Sequence, residues 1–191
     1  MQKYEMNLCG VKRALPFVDL ENNMAFASFV IMGDTELITA CAPELAKKIG
    51  NVDVIITAEA KGIALTYEIS RILGKKEFIV ARKSVKSYMN EVVSVSVHSI
   101  TTEGEQHLYL DGQDAEKLRG KNVCIIDDVI STGESLFALE TLVKQAGGIV
   151  TKKAAVLAEG SAAKRDDIIF LQELPLFQKC ENGTYQKIEK V

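Results

Sequence analysis

Five short, nearly continuous apolar runs, most of them separated by stretches of helical period, constrain this chain more than any other feature. They are VDVIITA (52–58), EFIVA (77–81), KNVCIID (121–127), IVTKKAAVLAE (149–159) and DIIFLQEL (167–174). A strand covered on one face alternates apolar with polar, whereas a parallel strand covered on both faces reads as an unbroken apolar run. The intervening segments DTELITACAPELAKKIG (34–50), GIALTYEISRILG (62–74) and GESLFALETLVKQAGG (133–148) carry helical spacing. Asp34 is placed as an N-cap, and Gly50, Gly74 and the Gly147-Gly148 pair as C-terminal stops. Repeated β-α-β order predicts an α/β fold, a doubly wound, mostly parallel sheet with sites at the carboxyl ends of its strands.

Residues 92–110 break the pattern. VVSVSVHSI alternates valine with serine, and QHLYL answers it across TTEGE, which predicts an inserted β-hairpin with one wet face. The first 30 residues and the last 15 do not fit the alternation and are expected to form a cap or flanking strands. At 191 residues the chain suits a single domain. The expected division is a core over 34–175, a hairpin insert over 87–110, and flanking segments 1–33 and about 176–191.

Composition narrows the function classes. A net charge of −3 lacks the basic excess of a nucleic-acid surface. No apolar run approaches the roughly 20 residues of a membrane helix. Cys9, Cys41, Cys124 and Cys180 form no Cys-x-x-Cys pair, and with only His98 and His107 there is little from which to build a zinc or haem site. A reduced, cytoplasmic protein is expected, and its chemistry must rest on oxygen and nitrogen groups and backbone amides.

One stretch stands out, IIDDVISTGES (125–135). A buried strand is expected to deliver the adjacent acids Asp127 and Asp128 to the ligand-facing end of the sheet. Ser131, Thr132, Gly133, Glu134 and Ser135 then turn into a helix N-terminus, whose free amides and dipole suit a phosphate. Carboxylates beside it can accept hydrogen bonds from a sugar diol. Ser131-x-x-Glu134 also matches a capping box, which assigns Glu134 to the helix start. Together these parts offer the two halves of a ribose-5-phosphate site.

The motif closely resembles the phosphoribosyl pyrophosphate (PRPP) signature of type I phosphoribosyltransferases. The resemblance implies that Asp127 and Asp128 hold the ribose hydroxyls and that residues 131–135 hold the 5′-phosphate. TAEAKG (57–62) matches the family's pyrophosphate loop, which implies roles for Ala60, Lys61 and Gly62. ARKSVKSYM (81–89) resembles the Arg-Lys-x-x-Lys stretch of the adenine and xanthine enzymes, with Arg82, Lys83 and Lys86 serving an anionic substrate. The hairpin falls where the family has a flap closing over the reaction centre, with Glu103 and Glu105 as candidates for handling the proton of the base.

The same resemblance implies Mg²⁺ carried mainly by PRPP, with Asp127 or Asp128 as its candidate protein contact, and a homodimer. Serine at 131, where the hypoxanthine-guanine branch usually has an acid, points to adenine. The N-terminal cap, through Phe17, and Val129 are the expected base contacts. A xanthine enzyme is one alternative. A PRPP-binding regulator without catalysis, as in some bacterial purine repressors, is another, although about 33 residues before the first helix leave no room for a DNA-binding domain.

Overall fold

The computed structural model describes residues 2–98 and 105–188. In chain order the elements begin with strands β1 (Lys3–Leu8), β2 (Val11–Asp19) and β3 (Met24–Ala27). Helix α1 (Thr35–Ile49), β4 (Val54–Ala58), α2 (Ile63–Ile72) and β5 (Ile79–Ala81) follow. The hairpin strands β6 (Val93–His98) and β7 (Glu105–Leu110) lead to α3 (Gly112–Leu118), β8 (Asn122–Ile130), α4 (Glu134–Gln145) and β9 (Ile149–Glu159). A 3-10 turn over Gly160–Lys164 precedes β10 (Gln172–Leu174), β11 (Leu176–Lys179) and β12 (Tyr185–Lys187).

The central sheet is parallel, in the order β5-β4-β8-β9-β10. Counting its strands along the chain gives 2-1-3-4-5, so the winding direction reverses between β4 and β8. That reversal is the place where open α/β sheets bind ligands. Both faces are covered, as the unbroken apolar runs require. Ile55, Cys124, Ile126, Ala154 and Val156 pack into one core with α1 and α2. Ile56, Ile79, Val123, Ile125 and Ala155 pack into another with α4 and α3. Each fully buried Ile or Leu contributes about 1.5–3 kcal/mol of transfer free energy, so the two layers hold the sheet rigidly beneath its loops. No helix among the described residues is long and apolar enough to cross a membrane.

Local signals explain most element ends. The Leu37 N–H donates to Asp34 Oδ1 at 3.1 Å, which satisfies one of the open amides of α1, and Gly50 closes that helix by donating to the Ala46 carbonyl. The hairpin alternates as expected: Val95, Leu108 and Leu110 are buried against α4 and β5, while Ser94 and Ser96 face out. Its base is stitched to the residue that follows β5 by paired backbone bonds between Arg82 and Tyr109, at 2.9 and 2.8 Å.

The two chain ends meet in a second, antiparallel sheet of order β1-β2-β3-β11-β12. Three boundaries and one helix differ from expectation. β8 continues past both acids to Ile130, because β9 keeps pairing with it through Ile130↔Ala158. The 167–174 run yields only a bridge at Ile169 and the short β10, since β9 alone supplies its ladder partners. The 77–81 run pairs only over its last three residues. Helix α3 lies in a polar stretch without a clear apolar period.

Candidate functional site

The crevice arises where two ladders part. β8 is paired to β4 through Ile56↔Ile125, whereas β4 stays with β5 through Ala58↔Ala81 and β8 stays with β9 to Ile130. Beyond Ile125 the two central strands diverge, and a cavity of about 440 Å³ opens between them and the antiparallel sheet. It is lined by Ala58–Lys61, Lys83, Asp127–Val129, Ser131, Ser135 and Glu159, and on its apolar side by Leu20, Phe26, Ala27, Phe29 and Leu174.

Asp127 and Asp128 point to opposite faces of β8, as neighbours on a strand must. Asp128 is buried, 4% exposed, and its Oδ2 has no hydrogen-bond partner. Asp127 is half-buried, and its Oδ1 accepts the Asp128 N–H at 2.8 Å. The Asp127 carboxyl is pushed up to about 7, first by burial and then by the Asp128 charge, with that N–H and the Lys61 charge opposing. A buried acceptor without a donor costs about 1–3 kcal/mol. With Asp127 beside it, the orphaned Asp128 oxygen leaves this crevice poised for hydroxyl donors or a cation from outside the chain.

The 131–135 turn forms a small recess of about 40 Å³ at the N-terminus of α4, lined by Val129–Leu136 and Asp127. The N-cap is Gly133, at φ +85°, so Glu134 occupies the first helical position. The expected Ser131–Glu134 capping box is thus replaced by a register two residues later, because the left-handed Gly133 ends the turn. A Cβ at Gly133 would lie 2.9 Å from Arg165 Nη1. Arg165, whose place here no local pattern announces, is held by two bonds to Asp167 at 2.8 Å.

The cations are partly divided. Lys61 and Lys83 line the cavity. Arg82 instead pairs with Glu59 at 3.1 Å, and Glu59 also accepts the Lys83 N–H at 2.5 Å, so this acid ties the 59–62 turn to the segment after β5. Lys86 bonds to Ser84 Oγ at 2.6 Å and, like Arg82, is absent from the lining. Ala60 is in the lining, and the Glu59–Ala60 peptide is cis. Gly62 opens α2, pressed against β8: a Cβ there would meet Thr57 Oγ1 at 2.4 Å and the Asp127 Cα at 3.6 Å.

Val129 lines the cavity. Phe17 does not: its ring stacks on Tyr185 at 4.1 Å and meets Phe177 edge-on at 4.8 Å, within the antiparallel sheet. Phe26 and Phe29 supply the aromatic wall instead. Glu103 lies outside the described residues, as does the side chain of Glu105, whose backbone pairs with His98.

A family model described as a phosphoribosyl transferase domain matches residues 35–182. A hypoxanthine/guanine phosphoribosyltransferase of Methanotorris igneus is 31% identical over 131 residues, covering 68% of this chain and 67% of that protein. A xanthine phosphoribosyltransferase of Clostridioides difficile is 31% identical over 140 residues, covering 70% and 72%. Among solved structures, the adenine phosphoribosyltransferase of Thermoanaerobacter pseudethanolicus superposes with a TM-score of 0.67 at 22% identity, over 84% of this chain and 95% of that one. That last likeness concerns the fold.

Proposed function

The chain belongs to the phosphoribosyl transferase domain family, and from that premise we propose that it transfers the phosphoribosyl group of PRPP to a purine, adenine foremost. One observation carries the reading. The Asp127–Asp128 pair, with Asp128 Oδ2 unpartnered, sits in the same crevice as a helix-N-terminal turn, two lysines and an apolar aromatic wall. Asp127 and Asp128 accept hydrogen bonds from the ribose hydroxyls, and the amides and hydroxyls of 131–135 hold the 5′-phosphate. Lys61 and Lys83 balance the pyrophosphate charge, with Arg82 holding Glu59 and hence the 59–62 turn in place.

The C1′–O bond breaks with its electron pair leaving on pyrophosphate, and a ring nitrogen of the base forms the new C1′–N bond and loses its proton. Glu103 and Glu105 are the proposed acceptors of that proton. The apolar wall of Phe26 and Phe29 covers the base and excludes water from the activated sugar.

Mg²⁺ fits this site only in company with the substrate. No three His, Cys, Asp or Glu side chains gather into a metal site among the described residues, and Mg²⁺ is commonly held by one or two carboxylates plus phosphate oxygens. The orphaned Asp128 Oδ2 suits that role. When bound, the ion would neutralise charge on the leaving pyrophosphate.

Adenine is favoured by Ser131, which cannot act as the acid expected of a 6-oxopurine enzyme. A 6-oxopurine is the second reading, favoured by the names of the relatives at 31% identity. Incubation with PRPP, Mg²⁺ and each of adenine, hypoxanthine, guanine, xanthine and orotate is expected to yield AMP. Binding of PRPP without conversion of any base would sink the enzyme reading and leave a PRPP sensor.

The acid pair also sets a pH dependence. Diol donors and a cation favour ionised carboxylates, whereas Asp127 in the free site is pushed up to about 7. PRPP binding is therefore expected to release protons below about pH 7, and its affinity to rise as pH passes upward through that value. Calorimetry in buffers of different ionisation enthalpy measures the released protons. Binding without proton release at pH 6 would contradict the assignment of Asp127 to the sugar.

A further inference from the structure

The transfer chemistry leaves one cavity acid unused. Glu159 is the last residue of β9, where its backbone pairs with Leu174 of β10, one residue beyond the Ile130↔Ala158 pair with β8. It is half-buried and lines the cavity beside Leu174, its partner on β10, in a lining that also holds Phe26 and Phe29. Its carboxyl has no hydrogen-bond or ion-pair partner among the described residues, and only the charge of Lys61 acts on it from a distance. Burial pushes this carboxyl up from its ordinary range, against that charge. Leu20, Phe26, Ala27, Phe29 and Leu174 offer no side-chain hydrogen-bonding group, and of the cavity's polar side chains Glu159 is the one that the transfer reading leaves without a role.

We propose that Glu159 is the specificity-determining residue for the base, accepting a hydrogen bond from the 6-amino group of adenine and turning away purines that present a carbonyl there. The inference rests on the phosphoribosyl-transfer reading and assigns it a discriminating group. An ionised carboxylate can only accept, so an amino group facing it is paired while a carbonyl oxygen sets lone pairs against lone pairs. A neutral carboxyl would pair with either kind of base, donating to adenine N1 or to a 6-oxo group, so the preference for adenine is carried by the ionised form. Xanthine, which ionises easily, is opposed further by a cavity that already holds Asp127 and Asp128. Sites that pair a specific polar group discriminate strongly, because the wrong ligand leaves that group unpaired.

The test compares kcat/KM for adenine and hypoxanthine, which differ in the 6-substituent, in the native chain, Glu159→Gln and Glu159→Lys. The native chain is expected to prefer adenine by at least about 10-fold. Glu159→Gln retains a carbonyl acceptor and keeps part of that preference. Glu159→Lys places a donor opposite the 6-position and is expected to reverse it, a swing of about 100-fold in the ratio. A native preference for hypoxanthine, or a ratio in Glu159→Lys within roughly threefold of native, would overturn the inference while leaving the transfer reading intact. Should no base be converted with PRPP, the transfer reading falls, and selection is scored by calorimetry of AMP and IMP. Tighter AMP binding that reverses in Glu159→Lys keeps Glu159 as the discriminator, and an unchanged AMP-to-IMP ratio removes it.

Discussion

Replacing Asp127 and Asp128 together by Asn is expected to lower kcat/KM for PRPP by about 10²–10⁴-fold while raising the thermal midpoint. Each carboxylate is assigned a charge-assisted hydrogen bond from the sugar, worth about 1.5–3 kcal/mol. Two of them account for about 3–6 kcal/mol, which at about 1.4 kcal/mol per decade gives the stated loss. The opposite sign for stability follows from the strain of the ligand-free pair. Asp127 has a folded-state value of about 7 against an ordinary 3.8, chiefly through burial and the Asp128 charge. The folded chain therefore binds more protons than the unfolded chain between about pH 4 and 7. Native stability is greatest at the acid end of that window and falls as pH rises through it. Asn at both positions removes this slope. Melting curves from pH 4 to 8, run beside steady-state kinetics, measure both effects. Unchanged kinetics would refute the ribose clamp, and an unchanged pH slope would refute the account of the acids' burial. Exchange of stability for a destabilised site is a recurrent feature of functional clusters.

Legibility in the sequence tracked how local each interaction is. The parallel sheet and the candidate site at 127–135 were readable because continuous apolar runs, adjacent acids and a Thr-Gly turn all act within about ten residues. The end of β8 was not, since an apolar run ends where burial ends while a ladder ends where its partner does. β9 carries the pairing past both acids to Ile130. The helix start failed for a related reason: Ser-x-x-Glu fits a cap in one register, but Gly133 at φ +85° sets another. The base-side wall depended on distant partners. Phe17 was claimed by Tyr185 and Phe177 from the other end of the chain, which left Phe26 and Phe29 to face the cavity. Nothing near Arg82 announced that Glu59 would pair with it, and nothing near Gly133 announced Arg165. Glu159 had a weaker signal available, a single acid closing an apolar run where Asp127 and Asp128 offered two.

Gly62→Ala is expected to lower kcat/KM by about 10–100-fold and to destabilise the chain, and Thr57→Ala is expected to restore much of both losses. The added methyl would lie 2.4 Å from Thr57 Oγ1, well inside any real contact. Thr57 is fully buried on β4, and as a β-branched residue it has few rotamers to yield into. The start of α2 must shift instead, carrying Lys61 and the 59–62 turn away from Asp127. Overpacking of this kind costs about 1–3 kcal/mol. Loss of glycine freedom in the unfolded chain returns about 0.4–1 kcal/mol, so the net change remains destabilising. The catalytic effect is larger than the stability effect because displacing a positioned group by about 1 Å can cost about 10²-fold in rate. Thr57→Ala removes the struck oxygen, whereas the Ile126 carbonyl and the Asp127 Cα, at 3.5 and 3.6 Å from the new methyl, are at ordinary contact and need not move. The double variant should therefore be more active and more stable than the two single effects added together, a coupling that a double-mutant cycle reads directly. Strict additivity would mean that Gly62 is required by the backbone of β8 rather than by Thr57. A Gly62→Ala chain with native kinetics and melting would mean that the 59–62 turn is not held against the acids at all.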